Sequence, residues 1–237
     1  MKAIILMFIS LSAFAQTAAV TNPCDQIQGQ NNLAQDFGGL CKYEKANAAL
    51  PPATPNRVVY LGDSITEGWR NLIPGIDQND TINRGYSGQT TAQMLVRFRA
   101  DVINLKPKIV HLMAGTNDLA GNTGPTSLEK IKNNIRSMGE LARIHNIRVV
   151  IGSIPPAKSF SWRPGMKPAE DIRTLNKWLK AFAETNQFVY VDYHSALTDS
   201  EGGLSPEHAP DGVHPTAAAY AIMTNLAVIG MRDANRN

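Results

Sequence analysis

Residues 58–69 read VVYLGDSITEGW, an apolar run that stops at a small polar turn holding Ser64. A short stretch rich in Val and aromatic residues, apolar on both faces, marks a strand covered from both sides. Four more runs of this kind follow, so strands are expected at Arg57–Leu61, Thr81–Asn83, Ile109–Ala114, Val149–Ser153 and Phe188–Asp192. The intervening stretches carry helical spacing. One is Thr91–Asn104; another is Ser127–His145, with Ile131, Ile135 and Met138 on one side. Ala169–Thr185 does the same with Ile172, Leu175, Leu179 and Phe182, and Pro215 suits the first turn of a last helix, Thr216 to about Met231. Strands separated by helices pair in parallel through right-handed crossovers. The pattern predicts one three-layer α/β/α domain, in which ligands bind beyond the carboxyl ends of the strands. Ser64 stands at such an end.

A chain of 237 residues, 43% hydrophobic, suits a single sizeable core. With 18% charged residues and a formal net charge of +3, it is neither disordered in composition nor strongly basic. No Lys/Arg cluster with interleaved aromatics is present, which argues against a nucleic-acid partner.

At the N-terminus Lys2 precedes the apolar run AIILMFISLSAFA, and Ala13-Phe14-Ala15 has the small-x-small form of a cleavage site. Residues 1–15 read as a signal peptide, so the protein is expected to be secreted or periplasmic; the run is too short for a membrane span, and no stable membrane insertion is expected. Residues 16–56 form an N-terminal arm with some helical character at Phe37–Leu50, ending in prolines 51, 52 and 55; the main domain is 57–237. The only cysteines, Cys24 and Cys41, are an even pair in a chain read as exported. That favours a disulfide over two free thiols, and two cysteines alone make a poor metal site.

The residues that follow the strands decide the chemistry. A serine is a weak nucleophile until a base takes its proton, and a Gly-Asp-Ser turn alone most often just caps a helix. Thr66 also occupies the second glycine position of the G-x-S-x-G elbow, which disfavours an α/β-hydrolase fold. Of five histidines, His111 falls inside a strand and reads as core, His145 ends a helix, and His194 and His208 are minor candidates. His214 stands in APDGVHP, three residues after Asp211. That spacing lets the carboxylate accept from Nδ1–H and leaves Nε2 outward as a base. Gly85 in NRGYSG and Asn117 in GTND, with the Ser64 N–H, could supply donors to a tetrahedral oxyanion. Each motif alone is an ordinary turn; together they place the residue types of acyl transfer after three strands and before the last helix.

These four motifs resemble the SGNH (GDSL) hydrolases over about residues 57–232: Gly62-Asp63-Ser64-Ile65-Thr66, Asn83-Arg84-Gly85-Tyr86-Ser87-Gly88, Gly115-Thr116-Asn117-Asp118 and Asp211-Gly212-Val213-His214. The resemblance implies a five-stranded parallel sheet of flavodoxin-like order. It also implies a serine ester hydrolase with Ser64, Asp211 and His214 as triad and Ser64, Gly85 and Asn117 as oxyanion donors. No cofactor or metal is expected. Expected substrates are small or short-acyl esters, including acetyl esters of carbohydrates, with lysophospholipase, thioesterase or O-acyltransferase chemistry as alternatives on the same site. An inactive secreted binding module is the alternative of another class. Phe160 and Trp162, on the proline-rich stretch after the fourth strand, are expected over the pocket; the alternative is that Trp162 packs that stretch onto the core. Trp69 poses the same choice. The cysteine-bearing arm is outside the shared motifs.

Overall fold

The computed structural model describes residues 22–27, 33–72 and 80–236. The expected signal peptide lies outside them. In chain order the arm contributes a 3-10 turn at Pro23–Gln26 and a short helix α1 (Glu44–Ala48). Then come β1 (Val58–Gly62), α2 (Ser64–Leu72), β2 (Thr81–Gly85), α3 (Thr91–Asp101), β3 (Ile109–Met113) and α4 (Thr116–Leu119). The second half is α5 (Leu128–Ile144), β4 (Arg148–Gly152), α6 (Ala169–Asn186), β5 (Val189–Val191), α7 (Tyr193–Leu197) and α8 (Ala217–Arg236).

All five strands pair in parallel in the order β2-β1-β3-β4-β5, the flavodoxin-like order. Central β1 and β3 are almost wholly buried, which is why they carry no alternation. Helices α2 and α8 touch each other on one face of the sheet, while α3, α5 and α6 pack in succession on the other. Expected and observed strands differ by one or two residues at their ends. The helix α3 stops at Asp101 instead of Asn104, where Val102 leaves helical φ/ψ and a 3-10 turn takes over. The last helix starts at Ala217, one residue later than expected, and Pro215 lies before it: Thr216 caps α8, its hydroxyl and carbonyl accepting from the Ala219 and Tyr220 N–H groups. That helix continues five residues past Met231.

One buried cluster fixes where the two ends of the chain meet. Trp69 of α2 is fully buried, with its ring 5.5 Å from Tyr60 and 5.6 Å from Tyr220 of α8. Its indole N–H donates to Thr224 Oγ1 at 2.8 Å, and Tyr220 O–H donates to the Ile65 carbonyl at 2.6 Å. Trp69 is therefore a packing residue that clamps α8 onto α2. Because α2 begins at Ser64 and α8 follows His214, this clamp sets the distance between the two.

Candidate active site

Ser64 is the first residue of α2, held out at the carboxyl end of β1. Its Oγ lies 2.9 Å from His214 Nε2, although the two are 150 positions apart. His214 Nδ1 is 2.6 Å from Asp211 Oδ2. The other carboxylate oxygen accepts the backbone N–H of Val213 at 3.0 Å and of His214 at 2.8 Å. One carboxylate thus holds both the turn and the ring, with Nδ1 as the donor and Nε2 left to accept from the serine. Burial alone pushes the Asp211 carboxyl up; the hydrogen bonds from the His214 ring and the two backbone N–H groups outweigh it and hold the group below its ordinary value. It therefore stays charged while facing the ring.

Asn117 sits in α4 at the end of β3, nearly buried. Its Oδ1 accepts from Asn122 Nδ2 at 2.8 Å, and its Nδ2 donates to the Gln89 carbonyl at 3.1 Å. An amide nitrogen carries two N–H groups, so one remains beyond that bond.

Gly85, expected as an oxyanion donor, does something else. Its N–H donates to Asn83 Oδ1 at 2.8 Å, while Asn83 Nδ2 donates to the Thr66 carbonyl at 2.6 Å. A Cβ on Gly85 would lie 2.0 Å from the Glu67 nitrogen and 2.5 Å from its Cα. The glycine is there so that α2 can lie directly against β2, and its donor is already used. Gly85→Ala is expected to cost about 3 kcal/mol or more, as overpacking against rigid backbone does, read as a lowered urea midpoint. An unchanged midpoint would contradict this close-packing role. A donor is left over at Gly88, the second glycine of the same motif. It has φ +79°, and its N–H has no acceptor among the described residues. Its carbonyl accepts from Asn122 Nδ2 at 3.2 Å, which ties it to Asn117. Glu67, which the sequence reading passed over, holds this loop by accepting from the Ser87 N–H at 2.8 Å and Ser87 Oγ at 2.5 Å.

Phe160 does not overhang the pocket as expected: it is 1% exposed and belongs to the core. Trp162 stacks on it at 5.1 Å, half-buried, with its ring 6.3 Å from that of His214 and its N–H donating to Asn122 Oδ1 at 3.2 Å. These contacts run as a chain from Ser64 through His214, Trp162 and Asn122 to Asn117 and Gly88. Buried His111 bonds to Tyr193 O–H at 2.8 Å and is pushed down to about 3 by burial, a neutral core residue as expected. His145 caps the end of α5, and His194 lies in α7 beside Thr198. Cys24 and Cys41 are joined, as expected. Among the described residues no group of three or more His, Cys, Asp or Glu could hold a metal ion, and no helix is long and apolar enough to cross a membrane.

Asp63, beside Ser64, is buried, and that burial raises its carboxyl to about 6 against the opposing effects of the Ile65 N–H and His214. Burial likewise raises Asp118 to about 6 despite hydrogen bonds from Thr91. A carboxyl whose folded pKa exceeds its unfolded one favours the fold below the unfolded value, and that contribution is lost as pH rises through the folded pKa. These two contributions decline from about pH 4 to about pH 6, while His111, lowered to about 3, contributes an opposing rise over the same window; the net fall in melting temperature from pH 4 to pH 6 is expected to be smaller in Asp63→Asn. Thermal melts by circular dichroism at a series of pH values check this; an identical slope in the variant would contradict it.

A family model for the GDSL-like lipase/acylhydrolase family matches residues 60–222. A provisionally assigned acylhydrolase from Bacteroides fragilis has a solved structure that superposes with TM-score 0.81 at 44% identity, covering 83% of this chain and 97% of that one. The uncharacterized lipoprotein YqeF of Bacillus subtilis is 32% identical over 64% of this chain, a match that spans 61% of the lipoprotein's own length. Esterase TesA of Pseudomonas aeruginosa is 25% identical over 70% of this chain and 83% of that one. With the family model covering well over half its length, the chain belongs to the GDSL-like lipase/acylhydrolase family of ester hydrolases.

Proposed function

We propose that the protein is a serine esterase working through Ser64, His214 and Asp211. The observation that carries this is the unbroken relay from Ser64 Oγ to His214 Nε2 at 2.9 Å and from His214 Nδ1 to Asp211 at 2.6 Å. In this reading Ser64 Oγ attacks the ester carbonyl as His214 Nε2 takes its proton. The negative oxygen is held by the N–H groups of Ser64 and Gly88 and by Asn117 Nδ2. The Ser64 N–H qualifies because first-turn donors lack partners within their helix. Collapse expels the alcohol, protonated by His214, and leaves an acyl group on Ser64. Water then repeats the attack with the same base, giving the free acid and the starting serine.

Short acyl groups, acetyl above all, are the proposed substrates. What supports this is the setting: Asn117, Asn122 and Gly88 are hydrogen-bonded to one another and to Trp162 beside His214, a polar group that offers a long chain few apolar partners. The disulfide and the Bacillus subtilis lipoprotein relative support work outside the cytoplasm. Hydrolysis of p-nitrophenyl esters from acetyl to palmitoyl tests the reading. The highest kcat/KM is expected at acetyl to butyryl; an optimum at long chains points instead to lysophospholipase or thioesterase work. Ester formation with an added sugar acceptor would point to acyl transfer.

A further inference from the structure

The N-terminal arm docks against the oxyanion loop. Gln89 Nε2 donates to the Gly38 carbonyl at 2.9 Å, and Gln93 Nε2 to the Phe37 carbonyl at 2.9 Å. Gly39 has φ +68°, and a Cβ there would fall 2.3 Å from the Tyr86 ring and 2.6 Å from Gln89 Nε2. Only glycine lets the backbone come so close. Lys42 pairs with Glu67 at 2.6 Å, the same carboxylate that holds Ser87. The Cys24–Cys41 bond closes the arm behind this contact, and Asn22 Nδ2 donates to Glu44 Oε2 at 2.8 Å.

Between the arm and the loop lies an open cavity of about 200 Å³. It adjoins the proposed oxyanion site, because Gly88 belongs to both and Asn122 in its wall bonds to Asn117. Its size suits one ring-sized group rather than a drug-sized ligand, whose pockets begin at about 300 Å³. Its chemistry narrows the choice further. No Lys or Arg is among the described residues lining it, and Asp36 is, so an anion is opposed. A fatty chain would cover the Gln89 and Gln93 amides, both of them buried, without giving their remaining N–H groups an acceptor. Each of those two amides has one N–H taken by the arm and a second to give. Leu33 and Phe37 stand 45% and 43% exposed at the rim, beside the Tyr86 ring. Apolar faces next to fixed donors suit a neutral, hydroxyl-bearing ring.

We propose that this cavity is a sugar subsite, in which the disulfide-closed arm binds the carbohydrate part of the ester beside Ser64. The inference rests on the serine-esterase reading. It is tested by hydrolysis of two substrates, an acetylated methyl glycoside and ethyl acetate, whose alcohol is too small to reach the arm. Phe37→Ala is expected to lower kcat/KM on the glycoside by about tenfold through KM, and to leave ethyl acetate within about twofold. Cys24→Ser with Cys41→Ser should move the same way. Equal changes on both substrates, or no change on the glycoside, would overturn the subsite. So would a wild-type enzyme that cleaves ethyl acetate and ignores the glycoside, with the esterase reading left standing. Inactivity on both esters would overturn that reading itself.

Discussion

Ser64→Ala is expected to lower kcat on p-nitrophenyl acetate by about 10⁵- to 10⁶-fold, with the folded state kept. The side chain's recorded partner is His214, and α2 is held by Trp69, Tyr220 and Asn83. Removing the hydroxyl thus takes away the nucleophile and little else. His214→Ala should cost about as much, and the double variant should be no worse than either single one, because the two act as a unit. Asp211→Asn is expected to cost about 10⁴-fold, since an amide no longer selects the tautomer with Nδ1 protonated. Turnover measured beside near-ultraviolet circular dichroism checks all four variants. Residual activity near wild type in Ser64→Ala would end the triad assignment and favour a binding role for the crevice.

The second large effect concerns the oxyanion. Asn117→Ala is expected to lower kcat by about 10²- to 10³-fold with KM changed only slightly, because the donor acts mainly when negative charge develops on the carbonyl oxygen. Asn117→Asp should be at least as damaging: it keeps the shape and turns a donor into an acceptor facing that charge. A matched loss in KM with kcat preserved would mean that Asn117 only holds the Gln89 carbonyl and Asn122. Gly88 is harder to test by substitution, since a side chain at φ +79° strains the backbone itself.

Much of the site was legible because its reacting groups follow directly from local rules. Asp211 reaches His214 across three residues, and that contact is nearly independent of the rest of the fold. Ser64 and Asn117 come directly after strands whose apolar runs are plain. What misled was glycine. Gly85 and Gly88 stand three residues apart in one motif, and sequence alone does not separate a glycine needed for close packing from one needed for a turn. The contact of Gly85 with the backbone of Glu67 involves another element, and only that contact assigns its role. Phe160 and Trp162 are two residues apart on an irregular stretch, where no period tells which ring faces inward.

The amino-acid sequence by itself determined the alternation of strands and helices, the residue types at the strand ends and the local Asp211–His214 pairing, because hydrophobic periodicity and short-range hydrogen bonds act between near neighbours. Tertiary structure decided the rest: that Ser64 and His214 meet, that Gly85 spends its N–H on Asn83 while Gly88 does not, and that the arm and the Gly88 loop enclose a cavity. Those outcomes depend on contacts between distant segments, above all the aromatic clamp of α8 on α2, whose energy comes from packing that no short stretch of sequence contains.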